Sequence, residues 1–216
     1  NITYDTEDAP TVSSAKFSNA LNELNMYFDK PTDQAGFSNI FSCEQVVDSN
    51  KTNINLLGAN YQCRFVSTRQ LVVTLGRKPS VGVGDTITLR NDVVKSGIDG
   101  ASLFSTQSLT AAISSPDTPV VPTVRLQPST TMVGRCDAVK FDGSMTSGSG
   151  GRGLLYNFST STVGVTNVTR IFADANNKND GKGTHSVVIG PQDLKAGQTL
   201  EVKLTASNFL GERSSK

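Results

Sequence analysis

The sequence predicts an all-β chain folded as two β-sandwiches in tandem. Three observations carry this. Short stretches rich in β-branched residues recur along the chain, each bounded by Gly, Pro, Asn or Asp. One proline-rich stretch, SSPDTPVVPTV (114–124), divides the 216 residues into two parts, each of the size of one sandwich. The composition is low in charge, 18% with a net charge of +1, while Ser and Thr make up roughly a fifth of the chain and Trp is absent. That profile suits a β-rich extracellular module better than a cytosolic enzyme with a Lys- and Glu-rich surface.

The elements follow in order. AKFSNALNELNMYFDK (15–30) carries two patterns. Phe17, Ala20, Leu21, Leu24, Tyr27 and Phe28 have helical spacing. Ala15 and Phe17, then Leu24, Met26 and Phe28, alternate as the arms of a hairpin around an Asn-rich turn. Periodicity alone does not separate the two, and the asparagines and the β context favour strands. QLVVTLGR (70–77) alternates and ends at Gly76. DTITLR (85–90) places Ile87 and Leu89 on one face and Thr86, Thr88 and Arg90 on the other. SLTAAI (108–113), TVRLQP (123–128), AVKFDG (138–143), LLYNFS (154–159), HSVVIG (185–190) and LEVKLTAS (200–207) read as further strands. GVGDTITL (82–89) and KAGQTLEVKL (195–204) echo one another, each with a glycine turn feeding an alternating strand. The expected domains are 1–116 and 117–216, joined by the stiff proline segment.

The start, NITYDTEDAP, lacks the basic and apolar regions of a signal peptide, so the chain reads as a mature or excised piece of something longer. Apolar runs such as LVVTL are too short to span a bilayer as a helix. The charge balance offers no basic face for nucleic acid.

Cys43, Cys63 and Cys136 are the cysteines. With His185 as the one histidine and none of the usual short spacings, a zinc site is not expected. Cys43 and Cys63 flank a segment with strand-like ends and are expected to form a disulfide, as extracellular composition favours. Cys136 is then left over, either as a buried thiol or as a partner for a cysteine elsewhere.

Between Cys136 and Ser159 runs CDAVKFDGSMTSGSGGRGLLYNFS. Gly143, Gly148, Gly150, Gly151 and Gly153 make it look like a phosphate loop. A phosphate loop needs a Lys-Ser/Thr pair and a following helix, and here a strand-like LLYNF follows. The glycines are instead expected to shape a connection between strands. Asp142 is expected to accept from backbone amides of the DGS turn, and Arg152 to reach back to it or to a strand-end carbonyl. DANNKNDGKG (174–183) fails the calcium-loop pattern, with Lys178 at a ligand position and Asn179 in place of the glycine. It reads as a long hairpin loop with an NDG turn. His185 has no nucleophile context and is taken as structural or solvent-facing. No enzyme activity, metal or cofactor is expected.

Four glycosylation sequons occur, at Asn1, Asn50, Asn157 and Asn167, a number near chance for this composition. Asn50 and Asn167 fall in polar loops. Asn157 falls within a strand pattern.

The same CDAVKFDGSMTSGSGGRGLLYNFS stretch resembles the REJ (receptor for egg jelly) module of polycystin-like cell-surface proteins. The resemblance rests on Cys136 opening a strand, the Asp142–Ser144 turn, Gly150 to Arg152, and Tyr156 with Phe158, where such modules often carry Trp in place of Phe158. LEVKLTASNFLGERSSK resembles the closing segment of that module. The first half resembles the sandwich that precedes it in large surface or flagellar-hair (mastigoneme-type) proteins of protists and algae. The resemblance implies two immunoglobulin-like or fibronectin III-like (PKD-like in the second half) sandwiches, located extracellularly at a cell or ciliary surface. It brings no catalytic residues. The expected role is a structural or adhesion segment whose partners are neighbouring domains of the same long chain or identical copies. The second expectation is a ligand- or glycan-binding receptor module, for which Tyr4, Tyr27, Tyr61 and Tyr156 are the candidate aromatics.

Overall fold

The computed structural model describes residues 9–97, 104, 109–134 and 136–216. The chain is mostly β and divides into two compact units, Asn1–Pro119 and Val120–Lys216.

In the first unit, β1 (Val12–Phe17) and β2 (Glu23–Phe28) form an antiparallel hairpin, so the alternating pattern of 15–30 prevails over the helical one. The physical reason lies in the turn. Leu21 adopts φ 65° and its amide bonds to the Ser18 carbonyl at 2.9 Å, which ends any helical run before Leu24. β3 (Gln62–Ser67), β4 (Gln70–Thr74), β5 (Thr86–Leu89) and β6 (Leu109–Ser114) complete a six-stranded sheet in the order β3-β4-β2-β1-β6-β5. All pairs are antiparallel except β1 with β6.

The register sorts the side chains by face. Phe65, Leu71, Met26, Ala15 and Ile113 form one cross-strand row, and Cys63, Val73, Leu24 and Phe17 the next. All of these except Phe65 are buried. The opposite face is mostly polar, with Val72 buried among its polar neighbours. There Arg64 Nη2 meets Glu23 Oε1 at 2.9 Å and Gln70 Nε2 donates to Asn25 Oδ1 at 3.1 Å.

The segment between β2 and β3 closes both margins of this sheet. Phe41 and Cys63 exchange backbone hydrogen bonds of 2.9 and 3.0 Å beside β3. Five residues on, the Val46 carbonyl accepts from Arg90 N at 2.8 Å, and Asp48 N donates to Thr88 O at 2.9 Å beside β5. Five residues reach at most about 18 Å, whereas the outer strands of a flat six-stranded sheet lie about 24 Å apart. The sheet is therefore rolled, and this strap holds its edges near one another. Cys43, on the strap, is bonded to Cys63 on β3. Thr52, 4% exposed, completes the seal: its hydroxyl accepts from Thr88 N at 2.8 Å and lies 3.3 Å from Thr88 O.

In the second unit, β7 (Gln127–Pro128), β8 (Val139–Asp142) and β10 (Ser186–Ile189) form one antiparallel sheet in the order β10-β8-β7. β9 (Leu155–Thr160), β11 (Val202–Ser207) and β12 (Arg213–Ser215) form another in the order β12-β11-β9. The expected TVRLQP strand divides: Thr123 bridges Ser147, and only Gln127 and Pro128 pair with β8 as β7. The echoing glycine turns take the same form: Gly84 and Gly197 adopt φ 94° and 72° ahead of β5 and β11.

A helix, α1 (Thr166–Asn176), stands where no helix was expected. DANNKNDGKG is accordingly not a hairpin loop. Asp174 to Asn176 end α1, and Asn179, Asp180 and Gly181 follow in left-handed conformations, so the NDG turn forms. Val165, Val168, Phe172 and Ala175 recur at helical spacing and are all buried. They pack with Phe158 and Leu204 of one sheet and Val139, Val187 and Ile189 of the other. At the end of the helix, Asn176 Oδ1 accepts from Phe158 N at 2.7 Å and Asn176 Nδ2 donates to Phe158 O at 2.9 Å. This side-chain amide, with the Lys182 carbonyl that accepts from Tyr156 N at 2.8 Å, thus takes the place of a neighbouring strand along β9.

Two outcomes follow. Replacing Cys43 and Cys63 by Ser should destabilise the first unit by about 3 kcal/mol, the chain-entropy value for a loop of this size, and leave the second unit unchanged, as read by hydrogen exchange of the full chain under denaturant. Asn176→Ala should destabilise the second unit by about 1–3 kcal/mol through two unpaired backbone groups, and the same measurement should show the first unit unmoved.

Candidate functional site

The glycine stretch is built into the second unit rather than held open. Thr123 and Ser147 exchange backbone hydrogen bonds of 3.0 and 3.2 Å, and Arg125 N donates to Thr146 Oγ1 at 3.2 Å. The Thr123–Ser147 bridge therefore holds the start of the stretch against residues 123–125. Gly148 shows why glycine is required. It adopts φ 93°, and a Cβ there would stand 2.8 Å from Pro122 Cα. Ser147 N is the amide of the stretch that this pairing uses, and Arg152 N donates to Ser149 O at 3.4 Å in a turn of the stretch itself.

Asp142 ends β8 and accepts Ser144 N at 2.9 Å, as the DGS turn suggests. Its ion-pair partner is Lys140, at 2.7 Å, and not Arg152. Lys140 lies two residues earlier on the same strand, so both side chains leave the same face and meet without any loop movement. The Lys140 ammonium, with the Ser144 amide, holds the Asp142 carboxyl well below the usual carboxylate range. Arg152 lies over the Phe209 ring at 3.6 Å, a cation–π contact that ties the glycine stretch to the turn after β11.

His185 is exposed at the start of β10, and its ring lies edge-on to Tyr156 at 6.2 Å. Burial pushes the Tyr156 hydroxyl up from its ordinary pKa. No serine or carboxylate hydrogen bond places His185 in a triad among the described residues. A shallow depression of about 430 Å³ opens beside the first turn of α1, lined by Thr162, Gly164, Thr166, Thr169 and Arg170 among others. Hydroxyls and one guanidinium give it no pair of groups for proton transfer. Among the described residues, no three His, Cys, Asp or Glu side chains gather to hold a metal ion.

The cysteines resolve into a bridge and a free thiol. Cys43 and Cys63 are fully buried and disulfide-bonded, with Cα atoms 4.9 Å apart. Cys136 is exposed, so the buried-thiol alternative does not hold.

The sequons differ in setting. Asn50 is exposed on a turn. Asn157 points outward from β9 and is also exposed, away from the core that its strand pattern suggested. Asn167 lies in the first turn of α1 rather than in a loop, exposed beside the buried Val168. Asn1 lies outside the described residues. The side chains that sequence reasoning missed are the edge seals, Thr52 and Asn176. Only the 3-4-3 spacing of Val165, Val168, Phe172 and Ala175 could have exposed the helix that positions Asn176.

Acid should act on the Asp142 turn. An unfolded Asp titrates near about 3.9, and the folded group titrates lower. The stability it contributes is present above the unfolded value and disappears as pH falls through the folded one. Denaturant melts from pH 5 to pH 2 should show the second unit weakening more steeply in the native chain than in Asp142→Asn, with the two converging at the acid end.

The chain matches no known protein-family model, and no curated protein matches it either.

Proposed function

We propose that the chain is a non-enzymatic structural and adhesion segment of a large extracellular protein, formed by two immunoglobulin-like or fibronectin III-like sandwiches. The observation that carries this reading is the buried Cys43–Cys63 bridge within a mostly β chain of two compact units. Disulfides persist in oxidising compartments, and tandem β modules are the common form of long ectodomains and shafts. The strand margins add support. With Thr52 sealing β5 and Asn176 sealing β9, contacts with neighbours run through side-chain faces rather than strand addition. The partners are neighbouring domains of the same chain or identical copies of it, at a cell or ciliary surface. The likeness of residues 136–159 to the REJ module points the same way.

A glycan-binding receptor module is the second reading. Tyr61 favours it, since its hydroxyl lies 3.4 Å from Glu44 Oε1, an aromatic ring beside a carboxylate on the surface.

The two readings separate in one comparison. The structural reading expects no binding on a glycan array at micromolar protein, together with concentration-dependent self-association or binding to adjoining domains of the parent chain in sedimentation. Saturable binding to a defined glycan that is lost in Tyr61→Ala would overturn it.

A further inference from the structure

The turn that carries Asn50 has two features that a sequence cannot show together. Asp48 O accepts from Lys51 N at 3.2 Å and from Thr52 N at 2.8 Å, and Asp48 Oδ1 accepts from Asn50 N at 3.0 Å. This leaves Ser49, Asn50 and Lys51 exposed at the tip. The side-chain amide of Asn50 takes part in no hydrogen bond within the described structure. A large substituent there would displace nothing that is packed. Thr52, the third residue of the same triplet, faces the other way. Its hydroxyl is buried and spans Thr88 N and Thr88 O, closing the margin of β5.

N-glycosylation requires both ends of such a triplet at once. The Asn amide attacks, and the Thr hydroxyl must be available to the transferase for recognition. In the folded unit the first group is free and the second is occupied.

We propose that Asn50 is an N-glycan attachment site that folding closes. The inference rests on the extracellular reading above for its biological setting. The co-reactant is an oligosaccharide linked through a diphosphate to a lipid. A bond forms between Asn50 Nδ2 and the anomeric carbon of the first sugar, the bond from that carbon to the diphosphate oxygen breaks, the lipid diphosphate leaves, and one amide proton passes to a base of the transferase. The step takes place while residues 41–52 are still open. Afterwards Thr52 turns inward and serves as the edge seal. The disulfide sets the timing, because Cys43 lies on the same strap and its bond to Cys63 fixes the strap against the sheet. Bridge formation and sugar transfer therefore compete for one segment.

The other two described sequons lack this conflict. The Asn157 triplet belongs to β9 and the Asn167 triplet to α1, where Thr169 bonds only to Val165 O of its own helix, at 3.3 Å.

The test uses the full 216-residue chain. Unglycosylated protein, folded and oxidised or else reduced and unfolded, is incubated with purified oligosaccharyltransferase and lipid-linked donor. Occupancy of Asn50 is read by peptide mass spectrometry after enzymatic glycan release in heavy-oxygen water. The unfolded chain should be modified at Asn50, and the folded chain about tenfold more slowly or less, since local opening must first release Thr52. In a secretory host, Cys63→Ser should raise Asn50 occupancy over the native chain. Asn50→Gln should remove that glycan without shifting the melting temperature, while Thr52→Ala should remove it and lower the melting temperature. Thr52→Ser, which keeps a hydroxyl, should retain both in part. Equal rates on folded and unfolded chains, or no modification of the unfolded chain at Asn50, overturns the proposal. The purified reaction does not depend on the native compartment. A parent protein found inside the cytosol would sink the extracellular reading and leave this result standing.

Discussion

A strand at the margin of a sheet leaves a row of backbone N–H and C=O groups without partners, and the ways this chain pairs those groups account for much of its architecture. In the first unit the strap from Phe41 to Thr52 reaches both margins of one six-stranded sheet. It is too short to do so unless the sheet rolls. Rolling in turn encloses the rows led by Leu71 and Val73. The disulfide holds the strap where its hydrogen bonds need it. In the second unit the margin of β9 is paired by the Lys182 carbonyl at Tyr156 N and by the side-chain amide of Asn176, delivered by a helix whose buried face contributes to the core of both sheets.

The same economy explains the glycine stretch. A run of glycines with an arginine suggests an open loop waiting for an anion. Here Thr146 and Ser147 are tied to residues 123–125, and Arg152 lies over the Phe209 ring. Glycine serves close approach, most plainly at Gly148 against Pro122.

Legibility followed locality. Alternation marked β9, β10 and β11 because one buried face imposes a period of two on the residues themselves, while β4 and β5 are buried over three consecutive residues. The spacing and setting of Cys43 and Cys63 marked their bridge. Lys140 could have been recognised as the partner of Asp142 from the strand period alone, since two residues apart on a strand means the same face. The search for a partner across the loop, at Arg152, passed over it. The helix was hidden for a different reason. Its exposed face is rich in Asn, Asp and Thr, so its composition reads as loop, and only the spacing of four apolar residues betrays it.

By itself the sequence determined where most strands run and that its glycines and prolines mark turns. These are local consequences of period, φ preference and missing amides. Tertiary structure alone decided that the Phe41–Thr52 segment closes two distant margins, and that Thr52 and Asn176 act as substitutes for a neighbouring strand. Each of those depends on a backbone group left unpaired by a strand far away in the sequence. No property of Thr52 or Asn176 reports that vacancy until the sheet has formed.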